Sequence, residues 1–286
     1  MTKIKTSELF WSIQGEGQYI GVPSIFLRTF GCNFTCSGFG LPRGELSSEP
    51  DKIAKALTQN ITYENLPLVS IGCDSYASWH PAFKNLSPMM SINEIITRMK
   101  DLLPNGKFGR DKHLIITGGE PLLGWQRAYP DLINSIVENK MNLTHLTFET
   151  NGTQKLHKEF SDYLYRQAKD AGLEVTFSIS AKLPCSGESF ENAILPDVVK
   201  DYLDIPNNRS YFKFVVATEQ DVKDVERAVA LYKSAGIDIP IYLMPVGGVN
   251  SVYELNERAV ADYCRDVGFR FSPRIQVQLY RNAWGT

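Results

Sequence analysis

Three cysteines stand in two separate motifs whose residue type suits a metal. Cys32 and Cys36 lie in Gly-Cys-Asn-Phe-Thr-Cys, and Cys73 lies far downstream in Gly-Cys-Asp-Ser. Thiolates are soft ligands that suit iron–sulfur clusters or zinc. Three thiolates give a cubane 4Fe–4S cluster three protein ligands and leave its fourth iron open to a reactant. If these cysteines bind such a cluster, the chain is a redox enzyme that makes radicals.

Zinc is the competing metal for these cysteines. A three-residue gap between two cysteines is less common in zinc ribbons than a two-residue gap, and a structural zinc needs a fourth Cys or His. His80, Cys185 and Cys264 are the candidates, without convincing spacing. Free Cys is often a small buried hydrophobe, which is the prediction for Cys185 and Cys264. Cys32 and Cys36 alone leave burial and cluster binding open.

Length and composition predict an ordinary soluble globular protein. The 286 residues fit one large domain or two small ones, with 43% hydrophobic and 22% charged residues. A net charge of −2 argues against a broad nucleic-acid surface. The chain lacks an 18-residue apolar run and an N-terminal signal peptide, so we expect a cytoplasmic protein without a membrane span. Disulfides are disfavoured there, and five cysteines fit a disulfide framework poorly.

Strand and helix patterns alternate along the chain. The predicted strands are Ser24–Phe30, His113–Thr117, Leu143–Glu149, Leu173–Ser180, Tyr211–Val216 and Ile239–Met244, with a final extended run at Ile275–Tyr280. The predicted helices are Asp51–Gln59, Ser91–Leu103, Pro130–Asn139, Ser161–Ala171, Glu219–Ala235 and Val252–Val267. This alternation predicts an α/β fold with a mainly parallel sheet, open or partly closed into a barrel.

The unusual motifs all follow predicted strands. They are the cysteine motif, Gly-Gly-Glu-Pro at 118–121, Glu-Thr-Asn-Gly at 149–152, Ser-Ala-Lys at 180–182 and Met-Pro-Val-Gly-Gly at 244–248. Ligands of parallel sheets bind at the carboxyl ends of the strands. The motifs therefore predict one shared site.

The cysteine motif resembles that of the radical S-adenosylmethionine enzymes. Their third cysteine normally lies three positions after the second, where this chain has Phe39, which cannot bind iron. Cys73-Asp74-Ser75 resembles the Cys-Asp-Thr of the 7-carboxy-7-deazaguanine synthase family. We interpret residues 37–72 as an insertion that displaces the third ligand in sequence and not in space. The resemblance thus implies Cys32, Cys36 and Cys73 as ligands of the 4Fe–4S cluster.

Further matches to this family occur in the same order along nearly the whole chain. They are Gln14-Gly-Glu-Gly17, Gly21-Val-Pro, Arg28, Thr117-Gly-Gly-Glu-Pro121, Glu149-Thr-Asn-Gly152, Lys213-Phe-Val, and Gln276-Val-Gln-Leu with Trp284 near the end. The resemblance implies a partial, open (β/α)6-type radical SAM barrel. It also implies a single domain over 1–286, interrupted by the insertion 37–72 near the cluster.

The resemblance assigns substrate contacts around the N-terminal motif and the chain end. They are Ile13, Gln14, Gly15, Glu16, Arg28, Thr117 and the carboxylate of Thr286. The Arg28 guanidinium can bind a substrate carboxylate bidentately, with a surface salt bridge as the alternative. Ser75 would bind Mg²⁺ through its hydroxyl, with a helix-capping serine as the alternative.

Cofactor contacts are likewise implied by the resemblance. They are Gly119, Glu120, Ser180, Ala181, Lys182, Met244, Pro245, Val246 and Gly247. Glycine at 118 and 119 lets the backbone approach a ligand without a Cβ clash, and Glu120 offers an acceptor for an ammonium group. Four further positions depart from the family's motifs, with Ser75 in place of Thr, Ala181 in place of Pro, Met244 in place of Gln and Tyr280 in place of His.

The family's reaction gives the predicted function. It converts 6-carboxy-5,6,7,8-tetrahydropterin to 7-carboxy-7-deazaguanine with loss of ammonia, in 7-deazapurine or queuosine-type biosynthesis. The implied cofactors are a 4Fe–4S cluster, S-adenosyl-L-methionine and Mg²⁺, and the implied partners are a flavodoxin or ferredoxin and a second copy in a homodimer. One alternative is an activating enzyme that makes a glycyl radical on a protein. Another is a non-catalytic, zinc-stabilised binding protein.

Overall fold

A single sheet organises the chain in its computed structural model. The structure describes residues 2–57, 61–246 and 250–286, and side chains outside 250–256. The strands are β1 (Lys3–Ile13), β2 (Pro23–Thr29), β3 (Met89–Ser91), β4 (His113–Gly118), β5 (His145–Thr150), β6 (Glu174–Ile179), β7 (Tyr211–Val216), β8 (Ile241–Pro245) and β9 (Arg270–Phe271). All six predicted strands up to Ile239–Met244 form.

The sheet is mainly parallel and open. Its order is β3-β1-β2-β4-β5-β6-β7-β8-β9. Pairing is antiparallel between β1 and β2 and between β1 and β3, and parallel from β2 through β9. The terminal strands β3 and β9 do not pair with each other in the described residues, which confirms the predicted open barrel. The carboxyl ends of β2 and β4 to β8 therefore meet at one edge.

Helices connect the parallel strands. They are α1 (Glu49–Lys55), α2 (Ile92–Leu102), α3 (Tyr129–Glu138), α4 (Lys158–Asp170), α5 (Phe190–Ala193), α6 (Pro196–Leu203), α7 (Glu219–Ser234), α8 (Asn250–Val267) and α9 (Ile275–Tyr280). Short 3-10 turns lie at Gly17–Tyr19, Tyr63–Asn65, Tyr76–Ser78, Pro81–Leu86, Pro104–Gly106 and Pro184–Ser186. The predicted capping box forms at the start of α2, where Ser91 and Glu94 each accept the other's backbone N–H.

Aromatic side chains fill the space between the sheet and its helices. Phe148 on β5 stacks on Phe177 of β6, with ring centroids 5.6 Å apart, and Phe177 stacks on Tyr202 of α6 at 4.5 Å. Tyr129 and Phe160 pack against Phe148 from α3 and α4. Burial of such large apolar surfaces is the main force that fixes the strand order.

One expectation about element type and one about helix bounds need correction. Ile275–Tyr280 is the helix α9 and not an extended run. Its alternating apolar and polar residues fit a strand, but strand pairing ends with Leu243 and Phe271, so the segment forms local bonds such as Arg281 N–H to Val277 O. Strands β1, β3 and β9 carry no prediction. Helix α1 is shorter than predicted, and Gln59 lies outside the described residues.

Residues 37–72, here called the cap segment, carry part of a second hydrophobic cluster. Its buried members are Tyr63, Leu66, Val69, Tyr76, Ala77 and Phe83. This cluster is separate from the main core, and Arg43 of the cap segment pairs with Asp224 of α7. The interpretation of the cap segment as an insertion within one domain stays a prediction. In the described part of the chain, every helix is too short or too polar to cross a membrane.

Candidate active site

One cavity of about 240 Å³ lies at the carboxyl ends of the strands. It collects most of the predicted site residues, namely Ile13, Gln14, Gly15, Glu16, Arg28, Cys32, Cys36, Cys73, Ser75, Thr117, Gly119, Ser180, Lys182, Met244, Pro245, Val246 and Thr286. Glu120 and Ala181 do not line it. Gly247 lies outside the described residues. The parallel topology thus brings together residues that are up to 273 positions apart, from Ile13 to Thr286.

The three predicted cluster cysteines face the same cavity. Cys32 and Cys36 leave β2 on one loop, Cys73 follows the cap segment, and all three are free thiols. Burial raises the pKa of Cys32 to about 12 and raises the pKa values of Cys36 and Cys73 as well. Without a metal these thiols stay protonated at neutral pH. A metal must therefore displace their protons to bind.

The three cysteines belong to one small cluster of buried and partly buried side chains. Among the residues that the structure describes, no group of three or more His, Cys, Asp or Glu side chains is close enough to hold one metal ion. In a 4Fe–4S cluster each cysteine binds a different iron, so the thiols stand around a cube instead of converging on a point. The proposed fourth zinc ligands His80, Cys185 and Cys264 are not cavity residues.

Glu188 holds the cysteine loop in shape, a role that sequence reasoning missed. One carboxylate oxygen, Oε1, accepts hydrogen bonds from the backbone N–H groups of Thr35 and Cys36, both at 2.8 Å. Cys36 adopts the left-handed backbone region at φ 49°, which is uncommon for residues other than glycine. The carboxylate satisfies N–H groups that this turn leaves outside any helix or sheet. Sequence offers no signal for it, because Glu188 lies far along the chain.

Gly119 is required by the protein's own backbone. A Cβ at position 119 would lie 2.5 Å from Gly31 O and 2.7 Å from Cys32 Cβ. The adjacent Glu120 N–H donates to Gly31 O at 2.7 Å. The Gly-Gly-Glu-Pro turn is thus packed directly on the residue before the first cysteine. Close approach to the cysteine loop is therefore a second reason for glycine at position 119, beside the predicted close approach to a ligand.

Glu120 is turned into the protein and supports neighbouring strand ends. Its carboxylate accepts hydrogen bonds from Thr150 Oγ1 at 2.8 Å, Asn151 N at 2.7 Å and Leu122 N at 3.0 Å. Burial raises its pKa to about 7. The side chain does not line the cavity, so Glu120 supports the neighbouring strand ends in this structure. Its contact with the cofactor stays a prediction.

The residues assigned to the cofactor form one wall of the cavity. This cofactor wall consists of Gly119, Ser180, Lys182, Met244, Pro245 and Val246. Lys182 Nζ donates to Ser180 Oγ at 3.0 Å and lies over the ring of Phe39. Its positive charge also acts on Cys32 and Cys36, where it favours the thiolate. Ala181 is buried between these two residues.

The residues assigned to the substrate line the same cavity and are here called the substrate wall. Its members are Ile13, Gln14, Gly15, Glu16, Arg28, Thr117 and Thr286. Arg28 Nε donates to Glu8 Oε2 at 2.7 Å, across the β1–β2 pairing. Burial alone would lower the pKa of Arg28, but the charge and hydrogen bond of Glu8, together with Tyr63 and Glu149, raise it overall. The pair lies at the cavity and not at the outer surface, and further guanidinium N–H groups remain to meet a carboxylate.

Glu16 stands at the centre of a buried ionic network. It pairs with Lys213 Nζ at 2.5 Å and with Arg274 Nε at 3.0 Å, and Arg274 pairs in turn with Asp74. Burial alone would raise the pKa of Glu16, but the charges of Lys213 and Arg274 overcome it and hold that pKa well below its usual range. The network ties β1 and β7 to the loop that carries Cys73. Sequence reasoning missed Lys213, Arg274 and Asp74 as site residues.

Ser75 points its hydroxyl toward the third cysteine and Asp74. Its Oγ lies 3.7 Å from Cys73 Sγ and 3.4 Å from Asp74 Oδ1. Ser75 precedes the 3-10 turn Tyr76–Ser78, yet its side chain makes no capping hydrogen bond there. The capping alternative is therefore not supported by the geometry, and the magnesium role stays a prediction.

Comparison with known proteins places the chain beside one enzyme family. No family model matches it. Curated 7-carboxy-7-deazaguanine synthases match the chain along nearly its whole length. That of Halobacterium salinarum is 27% identical over 97% of this chain and 90% of the relative. Those of Pyrobaculum aerophilum and Leptospira interrogans are 26% and 23% identical, over 99% and 100% of this chain and 97% and 98% of the relatives. The crystal structure of QueE from Escherichia coli superposes with a TM-score of 0.53 at 18% identity, covering 95% of this chain and 93% of that one. That superposition supports the fold.

Proposed function

We propose that this chain, whose resemblance to the 7-carboxy-7-deazaguanine synthase family is confirmed by relatives along nearly its whole length, is a radical S-adenosylmethionine carbon–nitrogen lyase. Its substrate is 6-carboxy-5,6,7,8-tetrahydropterin and its products are 7-carboxy-7-deazaguanine and ammonia. One observation supports this most directly. Cys32, Cys36 and Cys73 line the same cavity as Arg28, although the cap segment separates the third cysteine from the first two.

The chain's own residues have separable tasks in this reaction. Cys32, Cys36 and Cys73 would hold the 4Fe–4S cluster, and the cofactor wall would hold S-adenosyl-L-methionine. Together, the bound cofactors supply one-electron chemistry that the side chains cannot perform. Lys182 offsets negative charge at the thiolates. Gly119 keeps the cofactor turn in contact with the cysteine loop.

The substrate wall binds and orients the pterin. Arg28 would bind the substrate carboxylate with the N–H groups that Glu8 does not use. Gln14 donates from Nε2 to Glu149 Oε1 at 3.1 Å, so both side chains are held at the cavity before substrate arrives. Glu16 stays ionised because of Lys213 and Arg274. Because these side chains are already fixed, less conformational entropy is lost when the substrate binds.

Magnesium binding by Ser75, a flavodoxin or ferredoxin as electron donor, a homodimer and a cytoplasmic location remain predictions of the same proposal. A hydroxyl beside a carboxylate provides the hard oxygen ligands that Mg²⁺ prefers, which supports the first of these. The relatives do not favour the glycyl-radical activase or the zinc-stabilised binding protein.

The decisive experiment is anaerobic reconstitution of the cluster, followed by incubation with the carboxytetrahydropterin, S-adenosyl-L-methionine, Mg²⁺ and a reductant. We expect 7-carboxy-7-deazaguanine by mass spectrometry. A full 4Fe–4S cluster with no deazapurine product would contradict the substrate assignment. Zinc without iron after reconstitution would contradict the enzyme assignment as a whole.

A further inference from the structure

The C-terminal tail, residues 282–286, is held at two points on different parts of the chain. Trp284 Nε1 donates to Leu66 O of the cap segment at 2.8 Å. Its ring meets Tyr63 and Tyr76 edge-on, with centroids 5.0 and 5.7 Å away. Gly285 N donates to Glu8 Oε1 on β1 at 2.7 Å. The tail therefore joins the cap segment to the sheet across the cavity.

Glu8 serves the tail and the substrate wall at the same time. One of its oxygens accepts from Gly285 and the other accepts from Arg28 Nε at 2.7 Å. Its side chain is only 8% exposed, so water competes little for either bond. The Glu8 carboxylate therefore holds both the docked tail and the Arg28 guanidinium in position.

Tyr63 adds a third link from the cap segment. Its ring packs on Trp284, and it is 4% exposed. Its hydroxyl has no hydrogen-bond partner among the described residues. Burial raises its pKa, and the nearby charges of Glu8 and Arg28 also act on it. Tyr63 does not line the cavity, so it acts on the tail through the contact of its ring with Trp284.

We propose that the cap segment is an intramolecular receptor for Trp284, and that Glu8 couples docking of the tail to the position of Arg28. Glu8, Tyr63 and Trp284 are then positioning residues for the substrate carboxylate. Docking of the tail holds the Arg28 guanidinium in one place. Identification of the bound carboxylate rests on the proposed function, whereas docking of the tail does not.

Docking is tested without substrate by hydrogen–deuterium exchange of the C-terminal peptide. We compare wild type, Trp284→Leu, Trp284→Phe and the control Leu279→Ala, a 58% exposed residue of α9. We expect the Gly285 amide to exchange slowly in wild type and in Leu279→Ala, and at least about tenfold faster in Trp284→Leu. Trp284→Phe keeps the ring contacts and should be intermediate. Equal exchange rates of the Gly285 amide in all four proteins would show that the cap segment is not a receptor for Trp284.

Coupling to Arg28 is tested by steady-state kinetics on the reconstituted enzyme, with iron content as the check on folding. Glu8→Gln keeps an acceptor for Gly285 but loses the charge opposite Arg28. We expect a rise in KM for the carboxytetrahydropterin of about tenfold in Glu8→Gln and in Trp284→Leu, with kcat and the KM for S-adenosyl-L-methionine within about twofold.

Other outcomes separate this inference from the proposed function. Faster exchange of the tail with an unchanged pterin KM would overturn the coupling. A fall in kcat with an unchanged pterin KM would overturn it as well, because it would place Glu8 in the chemical step. If wild-type protein forms no deazapurine product, the proposed function fails, and the exchange experiment still decides whether the cap segment receives the tail.

Discussion

The two walls of the cavity are built by different means. The cofactor wall is shaped by the backbone, since Gly119 packs on Gly31 and buried Glu120 holds the neighbouring strand ends. The substrate wall is shaped by charge, through the pair Glu8–Arg28 and the network around Glu16. Backbone packing depends on short motifs, and charge networks depend on residues from distant elements. Substitutions in the cofactor wall should therefore displace the cysteine loop. Substitutions in the substrate wall should leave buried charges without their partners.

The largest expected effect is loss of the third cluster ligand, which both walls require. Cys73→Ala should abolish the site-differentiated 4Fe–4S cluster and reduce product formation to background, because two thiolates cannot hold it. Iron and sulfide analysis with electron paramagnetic resonance measures this. Cys264→Ala, a buried cysteine outside the cavity, is the matched control and should retain the cluster. A normal cluster in Cys73→Ala would mean that another residue is the third ligand.

The next effect belongs to the substrate wall. Glu16→Gln leaves Lys213 without its carboxylate and weakens the fixation of Arg274, so we expect the free energy of unfolding to fall by about 3 to 5 kcal/mol. Urea denaturation at neutral pH measures the loss. Glu138→Gln, an exposed glutamate at the end of α3, should change it little. An unchanged stability in Glu16→Gln would show that the network is not a stabilising feature.

The same carboxylate predicts a dependence on pH. The folded-state pKa of Glu16 is lowered below that of the unfolded chain. Its contribution is therefore fully present above the unfolded pKa and is lost as the pH falls below it. Wild type should lose stability more steeply than Glu16→Gln as the pH falls below about 5, where Glu in the unfolded chain begins to bind protons and folded Glu16 does not. Parallel curves for the two proteins would contradict this assignment.

A smaller effect is expected from the cofactor wall. Gly119→Ala forces a Cβ against Gly31 O and Cys32 Cβ, so we expect a loss of about 1 to 3 kcal/mol in stability and less iron per chain after reconstitution. Gly124→Ala is the control, because a Cβ at position 124 would meet no atom within 4 Å. The cost of this substitution comes from the positive φ of 84° at that position. It should cost about 1 to 2 kcal/mol of backbone strain and keep the full cluster. Equal iron contents in the two variants would argue against steric support of the cysteine loop.

The smallest effect tests the predicted magnesium ligand Ser75. Ser75→Ala should raise the Mg²⁺ concentration needed for half-maximal product formation by roughly tenfold, because one oxygen ligand is removed. Ser75→Thr keeps the hydroxyl and should stay close to wild type. If all three proteins respond to Mg²⁺ alike, the Ser75 hydroxyl does not bind the ion.

The sequence by itself determined the local features of this protein. Strand periodicity and turn residues located β2 and β4 to β8, and capping residues located α2, because these signals act between near neighbours in the chain. The motifs Cys-Asn-Phe-Thr-Cys, Gly-Gly-Glu-Pro and Cys-Asp-Ser pointed to the cluster and its family for the same reason. Resemblance extended this to Arg28 and Thr286 as predicted contacts.

Only the tertiary structure decided which distant residues meet. Glu188 reaches the loop of Cys36, Lys213 and Arg274 enclose Glu16, and Glu8 joins Arg28 to Gly285. Each of these side chains is unremarkable in its own segment, and its partner lies on another element. The helix at Ile275–Tyr280 follows the same rule, since its alternating pattern fits a strand until the end of the sheet at β9 leaves its backbone to pair locally. Pairing between remote groups is set by packing of the whole sheet, and neither spacing nor composition encodes it.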